Sequence, residues 1–189
     1  MRYWWLLLFV ASSAPAAELR SIDVTHEKGA YLLVSEVWFD AGIDATFTVF
    51  STWDLAPQFT SAVAAARDLE PDEEGRPGFY TQNKGCVLFF CKTVVREGWV
   101  EKERNRVMRA FADPERSDFV FSNEMWTFKE EAGGTLVTYR LHFDPKFWVP
   151  PAIGPYMVKR TLKKMGGDAI HRMEEIARGI ATAPEVIVD

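Results

Sequence analysis

Cysteine, histidine and long apolar runs are all scarce in this chain. It holds two cysteines and three histidines in 189 residues. Two cysteines exclude a disulfide-dense small scaffold, and a C-x4-C spacing with no second pair gives no zinc ligand set. A C-x-x-C redox motif is absent as well. No segment reaches the roughly 20 consecutive apolar residues that a helix needs to span a bilayer. Basic charge is not in excess: the formal net charge is −5, with acidic and basic residues interspersed, so the electrostatic footprint of a nucleic-acid binder is missing. No nucleophile elbow, zinc-binding H-E-x-x-H or phosphate-cradling glycine loop is found. His26, His142 and His171 are scattered and read as surface or satisfied histidines. The paired carboxylates Glu73-Glu74 and Glu130-Glu131 fall in turn signals and read as solvated. No catalytic residue, metal or cofactor is therefore expected.

What is present begins at the N-terminus. "MRYWWLLLFVASSAPAAE" has one basic residue, Arg2, then a short apolar run, then small residues with Ala14 and Ala16 in the A-x-A arrangement of a signal-peptidase site. The segment 1–17 reads as a cleaved secretory signal peptide, and 18–189 as one domain, periplasmic or secreted. The single arginine argues against a twin-arginine signal, and no cysteine sits at the cleavage site to carry a lipid. Hydrophobic residues make up 48% of the chain and aromatic residues 14%, enough for a sizeable core and unlike a disordered chain.

"AYLLVSEVWFD", residues 30–40, is rich in β-branched and aromatic residues and predicts a strand. Asp44 is expected to cap a short helix through Phe50, and Asp54 to start a second helical piece broken by Pro57. Turn signals then recur at regular intervals without a helical period. They predict an antiparallel meander over roughly 62–70, 78–84, 92–103, 106–112, 119–130 and 135–143. In "TLVTYRLHF" the alternation is clean: Val137, Tyr139, Leu141 and Phe143 share one face, and Thr138, Arg140 and His142 the other. The glycines of "GGT", 133–135, mark a hairpin turn. After the proline-rich link "DPKFWVPPAIGP", Val158, Leu162, Met165, Ala169, Met173, Ile176 and Ile180 form one apolar stripe at helical spacing. Gly166-Gly167 in its middle suggests a kink or a close approach.

One strand, two short helices, six antiparallel strands and a long C-terminal helix resembles the START-like superfamily, which includes polyketide cyclases. The likeness spans about 25–183 and is firmest in "SDFVFSNEMWTFKEEAGGTLVTYRLHFDPKFWVPP". It implies an α+β helix-grip fold: a curved seven-stranded antiparallel sheet wrapped around the long helix, with an apolar cavity between them. Burying the apolar faces of helix and sheet against each other is also the simplest packing for such a chain.

The seven-strand order wants a turn between the segments 78–84 and 92–103. A continuous strand would hold Cys86 and Cys91 about 17 Å apart, beyond the roughly 4.4–6.8 Å a disulfide needs. A four-residue reversal would bring them face to face, and an exported chain then favours a disulfide; two reduced, buried cysteines are the other reading. Val87, Leu88, Phe89 and Phe90 would then sit at a tip, tucked into core, facing a cavity mouth, or touching a membrane.

Trp38, Trp99, Trp126, Tyr139, Phe147, Trp148 and Tyr156 are expected on or near the concave side, with ordinary core packing as the alternative for most. Trp126, Tyr139, Trp148 and Met157 are taken as cavity walls, and Phe147 and Trp148 as the cavity mouth. Three functions follow: a binding or carrier protein for a hydrophobic, lipid- or isoprenoid-like small molecule; a cyclase- or hydratase-type enzyme, which would need a buried ionisable pair; and an interaction module using the "VLFF" tip or the "FWVPP" loop.

Overall fold

The computed structural model describes residues 17–87, 90–149 and 154–182. The chain opens with a hairpin: β1 (Glu18–Glu27) and β2 (Ala30–Phe39) turn through Lys28 and Gly29, both at positive φ. Then come α1 (Ile43–Ser51), a 3-10 turn (Trp53–Leu55) and α2 (Ala56–Phe59). A meander of six strands follows: β3 (Val63–Leu69), β4 (Gly78–Val87), β5 (Phe90–Glu103), β6 (Val107–Ala112), β7 (Phe119–Glu131) and β8 (Gly134–Pro145). The long helix α3 (Gly154–Thr182) ends the described chain.

The strands form one antiparallel sheet in the order β1-β2-β8-β7-β6-β5-β4-β3. The short helices carry the chain from β2 to the far edge, and the meander returns it, so that Tyr31 of β2 pairs with Phe143 of β8. The sheet has eight strands where seven are expected. The extra one is β1, whose side chains are nearly all exposed, Val24 being the buried exception. Its inner face is short and interrupted: Ile22 and Val24 alternate with Asp23 and pack on the core, but a bulge between Leu19 and Ser21 breaks the period before them.

Helix boundaries differ from expectation in two places. Gly42, not Asp44, is the N-cap of α1; Asp44 lies in the first turn, where a carboxylate suits the helix dipole, and it accepts from Asn105 Nδ2 at 3.0 Å. Pro57 does not break its helix. It occupies the first turn of α2, where its missing N–H has no partner to lose. The kink suggested at Gly166-Gly167 does not interrupt α3, which stays helical through both glycines.

The inner face of the sheet and the helices share a core of Val37, Phe39, Phe47, Phe79, Met108, Phe128 and Ile170. The β7–β8 hairpin turns on Ala132 and Gly133, both at positive φ, and Gly134 pairs with Glu131. Gly134 has a packing role: a Cβ there would lie 2.2 Å from the Phe39 carbonyl oxygen and 2.6 Å from the Trp38 ring.

The β4–β5 hairpin is tighter than a four-residue loop. Val87 pairs with Phe90, and Cys86 stands directly opposite Cys91. Leu88 and Phe89, named above as part of the tip, lie outside the described residues, as does the segment 1–16. None of the described cysteines is a free thiol.

Candidate functional site

A cavity of about 270 Å³ lies between the inner face of the sheet, the short helices and α3. Strands alternate their side chains, so β8 turns Val137 and Tyr139 inward, while Arg140 and His142 face solvent. On β7 the same phase carries Ser122, Glu124, Trp126 and Phe128. The 3-10 turn adds Trp53, and α3 closes the space with Ala169, Ile170 and Met173.

Aromatic rings form a continuous wall. Trp53 stacks on Phe79 with centroids 4.4 Å apart and meets Trp126 edge-on at 6.2 Å; Trp126 stacks on Tyr139 at 5.1 Å. Such contacts fix ring positions beyond what burial alone would do.

Into this apolar space projects a buried charged cluster. Arg96 of β5 donates to Glu124 Oε1, and Tyr139 donates its phenolic proton to the same oxygen at 2.7 Å. The guanidinium also reaches Ser122 Oγ and Thr81 Oγ1, each at 3.4 Å. Both charged side chains are nearly closed to solvent, at 11% for Arg96 and 5% for Glu124. Burial opposes the charge on Arg96, but the adjacent Glu124 carboxylate more than offsets it, and the guanidinium stays cationic with a raised pKa. Burial and then the Glu124 charge push the Tyr139 phenol well above its ordinary value, so the phenol stays protonated.

Two buried polar atoms of lining residues have no hydrogen-bond partner among the described residues: Glu124 Oε2, an acceptor, and Trp53 Nε1–H, a donor. Leaving such groups unpaired in a buried site costs about 1–3 kcal/mol each. A bound molecule with a hydroxyl or similar group can satisfy them. The chemistry available is thus an apolar container with one fixed anionic acceptor and one indole donor.

The expected wall residues separate. Trp126 and Tyr139 line the cavity. Trp148 does not: it stands 75% exposed in the link after β8. Phe147 packs edge-on against Phe119 at 6.2 Å and lies under the Lys92 ammonium at 4.2 Å, outside the cavity lining. Met157 lies on α3, with its side chain outside the described residues. Trp99 is on the opposite face of the sheet from Val100, stacked on Phe111 and under Arg76, and Tyr156 is exposed. The link carries no alternation that could set which way its aromatics point.

Trp99 borders a larger outer cleft of about 520 Å³, lined with Glu74, Asp113 and Arg116. Its cations are already paired, Arg76 with Asp72 at 2.7 Å and Arg116 with Glu97 at 2.9 Å. Its lining is highly charged, whereas that of the inner cavity is mainly apolar.

Arg96, Glu124 and Trp53 were not picked out from the sequence. For the first two a signal exists: Glu124 is in phase with Trp126 and Phe128, and Arg96 with Val100, so each is a charge at an inward position. Trp53 sits in a 3-10 turn, where no period marks it.

No protein-family model and no curated protein sequence matches the chain. Solved structures do. A START superfamily protein from Mycobacterium smegmatis superposes with a TM-score of 0.61 at 16% identity, covering 77% of this chain and 98% of that one. The fold is START-like. The Zhui aromatase/cyclase from Streptomyces sp. R1128 matches with a TM-score of 0.62 at 11% identity, covering 82% of this chain and 98% of its own. A STAR-related lipid transfer protein from Xanthomonas axonopodis matches at 0.58 and 17%, covering 83% and 98%. At these identities the likeness concerns the START-like, polyketide-cyclase-like architecture alone: a large antiparallel sheet with a C-terminal helix across it.

Proposed function

We propose that this chain is an exported carrier for one hydrophobic small molecule, held between the sheet and α3 with a hydroxyl-type headgroup against Glu124 and Trp53. The observation that carries the reading is a mostly apolar, aromatic-walled cavity whose lining residues Glu124 and Trp53 each carry a buried polar atom, Oε2 and Nε1, with no partner among the described residues. Tyr139 and Arg96 occupy the other carboxylate oxygen, leaving Oε2 for the guest. At about 270 Å³, just below the roughly 300–1,000 Å³ usual for drug-sized ligands, the space suits a single isoprenoid-like or short-chain molecule. The architectural likeness to a lipid transfer protein supports the ligand class.

The export motif Ala14-Pro15-Ala16 supports a periplasmic or secreted location, and the Cys86–Cys91 register supports a disulfide closing the β4–β5 tip. No described helix is long and apolar enough to cross a membrane. Transient contact with an anionic lipid surface through Val87, Leu88, Phe89 and Phe90 is part of the proposal. Lys92 of β5 covers the ring of Phe147, the chain neighbour of the exposed Trp148.

A second reading, a cyclase or hydratase, is favoured by the same cluster. In that reading Glu124 Oε2 takes a proton from a substrate, with Arg96 and Tyr139 fixing the carboxylate through its other oxygen. Native mass spectrometry of the protein purified from its own compartment separates the two. A carrier retains a hydrophobic molecule and releases it unchanged, and Glu124→Gln weakens that retention. An enzyme converts the molecule it is given, and Glu124→Gln abolishes conversion while binding persists. Protein that retains nothing and takes up no alcohol or isoprenoid probe would overturn both.

A further inference from the structure

Ala17 is the first described residue, and it is buried. Its backbone N–H donates to Glu174 Oε2 at 2.9 Å. Glu174 lies on α3, 157 residues along the chain, and is itself only 4% exposed. Its other oxygen accepts from the Asp40 N–H at 2.8 Å. The Arg178 guanidinium reaches Asp40 Oδ2 at 2.7 Å and Glu174 Oε1 at 3.5 Å. Among the described residues, then, two carboxylates share one guanidinium, and Oε2 meets an uncharged amide. Both Glu174 oxygens are thus hydrogen-bonded, and the Ala17 nitrogen is the place where a second positive charge would meet the carboxylate directly.

The sequence just before Ala17 supplies one. Ala14-Pro15-Ala16 places a signal-peptidase cut between Ala16 and Ala17, one residue earlier than a boundary at 17/18. Hydrolysis consumes one water, breaks the Ala16–Ala17 amide, and leaves a carboxylate on the released segment and an amine on Ala17. At neutral pH that amine takes up a proton.

We infer that the Ala16–Ala17 bond is the processing site and that the freed Ala17 ammonium is the buried counter-ion of Glu174. The nitrogen already stands at the distance of a charge-assisted hydrogen bond, so the ion pair forms without moving the chain. Processing then completes the clamp between the start of β1, the end of β2 and the C-terminal half of α3. The uncut precursor lacks that charge and is held less firmly, which suits a chain that crosses a membrane before it folds.

The test uses the full-length chain expressed in an exporting bacterium. Intact-mass measurement of the secreted product should give residues 17–189. A product beginning at any other residue, or one retaining 1–16, overturns the inference. The α-amine is then reductively methylated with a 13C label, which keeps its charge, and titrated by NMR. In the folded protein its pKa should lie about one unit or more above the usual value of about 7.7–8.0, and Glu174→Gln should bring it back. If that variant does not fold, urea-unfolded wild type is the reference. An amine that titrates alike with and without Glu174, or folded and unfolded, overturns the ion pair. The inference rests on the export part of the proposed function, which a product retaining 1–16 would remove with it; neither arm involves the cavity, so the ligand-binding part stands or falls separately.

Discussion

Tyr139 of β8 and Glu124 of β7 meet through a 2.7 Å hydrogen bond, phenol to carboxylate, inside the cavity. Because Trp126 pairs with Tyr139 and Leu141 with Glu124, the two are diagonal neighbours on one face of the hairpin. Removing the hydroxyl with Tyr139→Phe leaves Glu124 Oε1 to Arg96 alone. The expected loss is about 1.5–3 kcal/mol, the usual worth of a hydrogen bond to a charged group, read from urea unfolding. A loss near zero would mean that water replaces the phenol.

The same phenol sets a pH dependence. Its folded pKa is raised, so the fold favours the neutral form. That contribution is whole below about pH 10, the unfolded value, and is lost as pH rises above it towards the folded value. Burial raises Tyr31 in the same direction. The urea midpoint of the wild type should therefore fall above pH 10, more steeply than that of Tyr139→Phe. Parallel curves would show that Tyr139 ionises as freely in the folded chain as in the unfolded one.

Breaking the buried pair on one side should be costly. Arg96→Met strands the Glu124 carboxylate and should destabilise by about 3–5 kcal/mol, whereas Arg96→Met with Glu124→Leu should recover much of that loss. The double variant should still bind apolar probes but no longer prefer an alcohol to the matching hydrocarbon. If it keeps the preference, the headgroup lies elsewhere.

Gly134→Ala tests the close approach of β8 to β2. Its Cβ would fall 2.2 Å from the Phe39 carbonyl oxygen, so the hairpin must shift, at a cost of about 1–3 kcal/mol. Circular dichroism with urea titration would measure it, and an unchanged midpoint would show that the strands separate there without strain.

Trp148→Ala should leave stability within about 0.5 kcal/mol, since the ring is exposed, and should weaken association with vesicles containing anionic lipid. Undiminished association would remove Trp148 from the membrane proposal. For the tip, thiol labelling of the unfolded, unreduced protein should find neither Cys86 nor Cys91 reactive; two labelled cysteines would end the disulfide proposal.

The meander was legible because each strand covers a core with one face only: "TLVTYRLHF" shows both its strand and its inward side chains. β1 was not, because its inward residues are few, Ile22 and Val24, and a bulge between Leu19 and Ser21 interrupts their alternation. Within the site, Trp126 and Tyr139 could be placed from strand phase. Arg96 and Glu124 could have been, had charges at inward positions been weighed as heavily as aromatics. Trp148 could not, because the link from β8 to α3 has no period, and a large aromatic there fits a plug and an exposed anchor equally well.

The sheet order has a kinetic consequence. β2 finds its second neighbour in β8, Tyr31 pairing with Phe143, so the middle of the sheet cannot form until nearly the whole polypeptide is available. Closing so long a loop before any pairing rewards it slows folding, as in other chains dominated by distant contacts. A newly made N-terminal half has only the β1–β2 and β3–β4 hairpins and the short helices to hold it, and two-stranded hairpins are marginal alone. Refolding should therefore be limited by the docking of β8, and destabilising changes at Tyr31 or Phe143 should slow it more than equal changes near the β4–β5 tip.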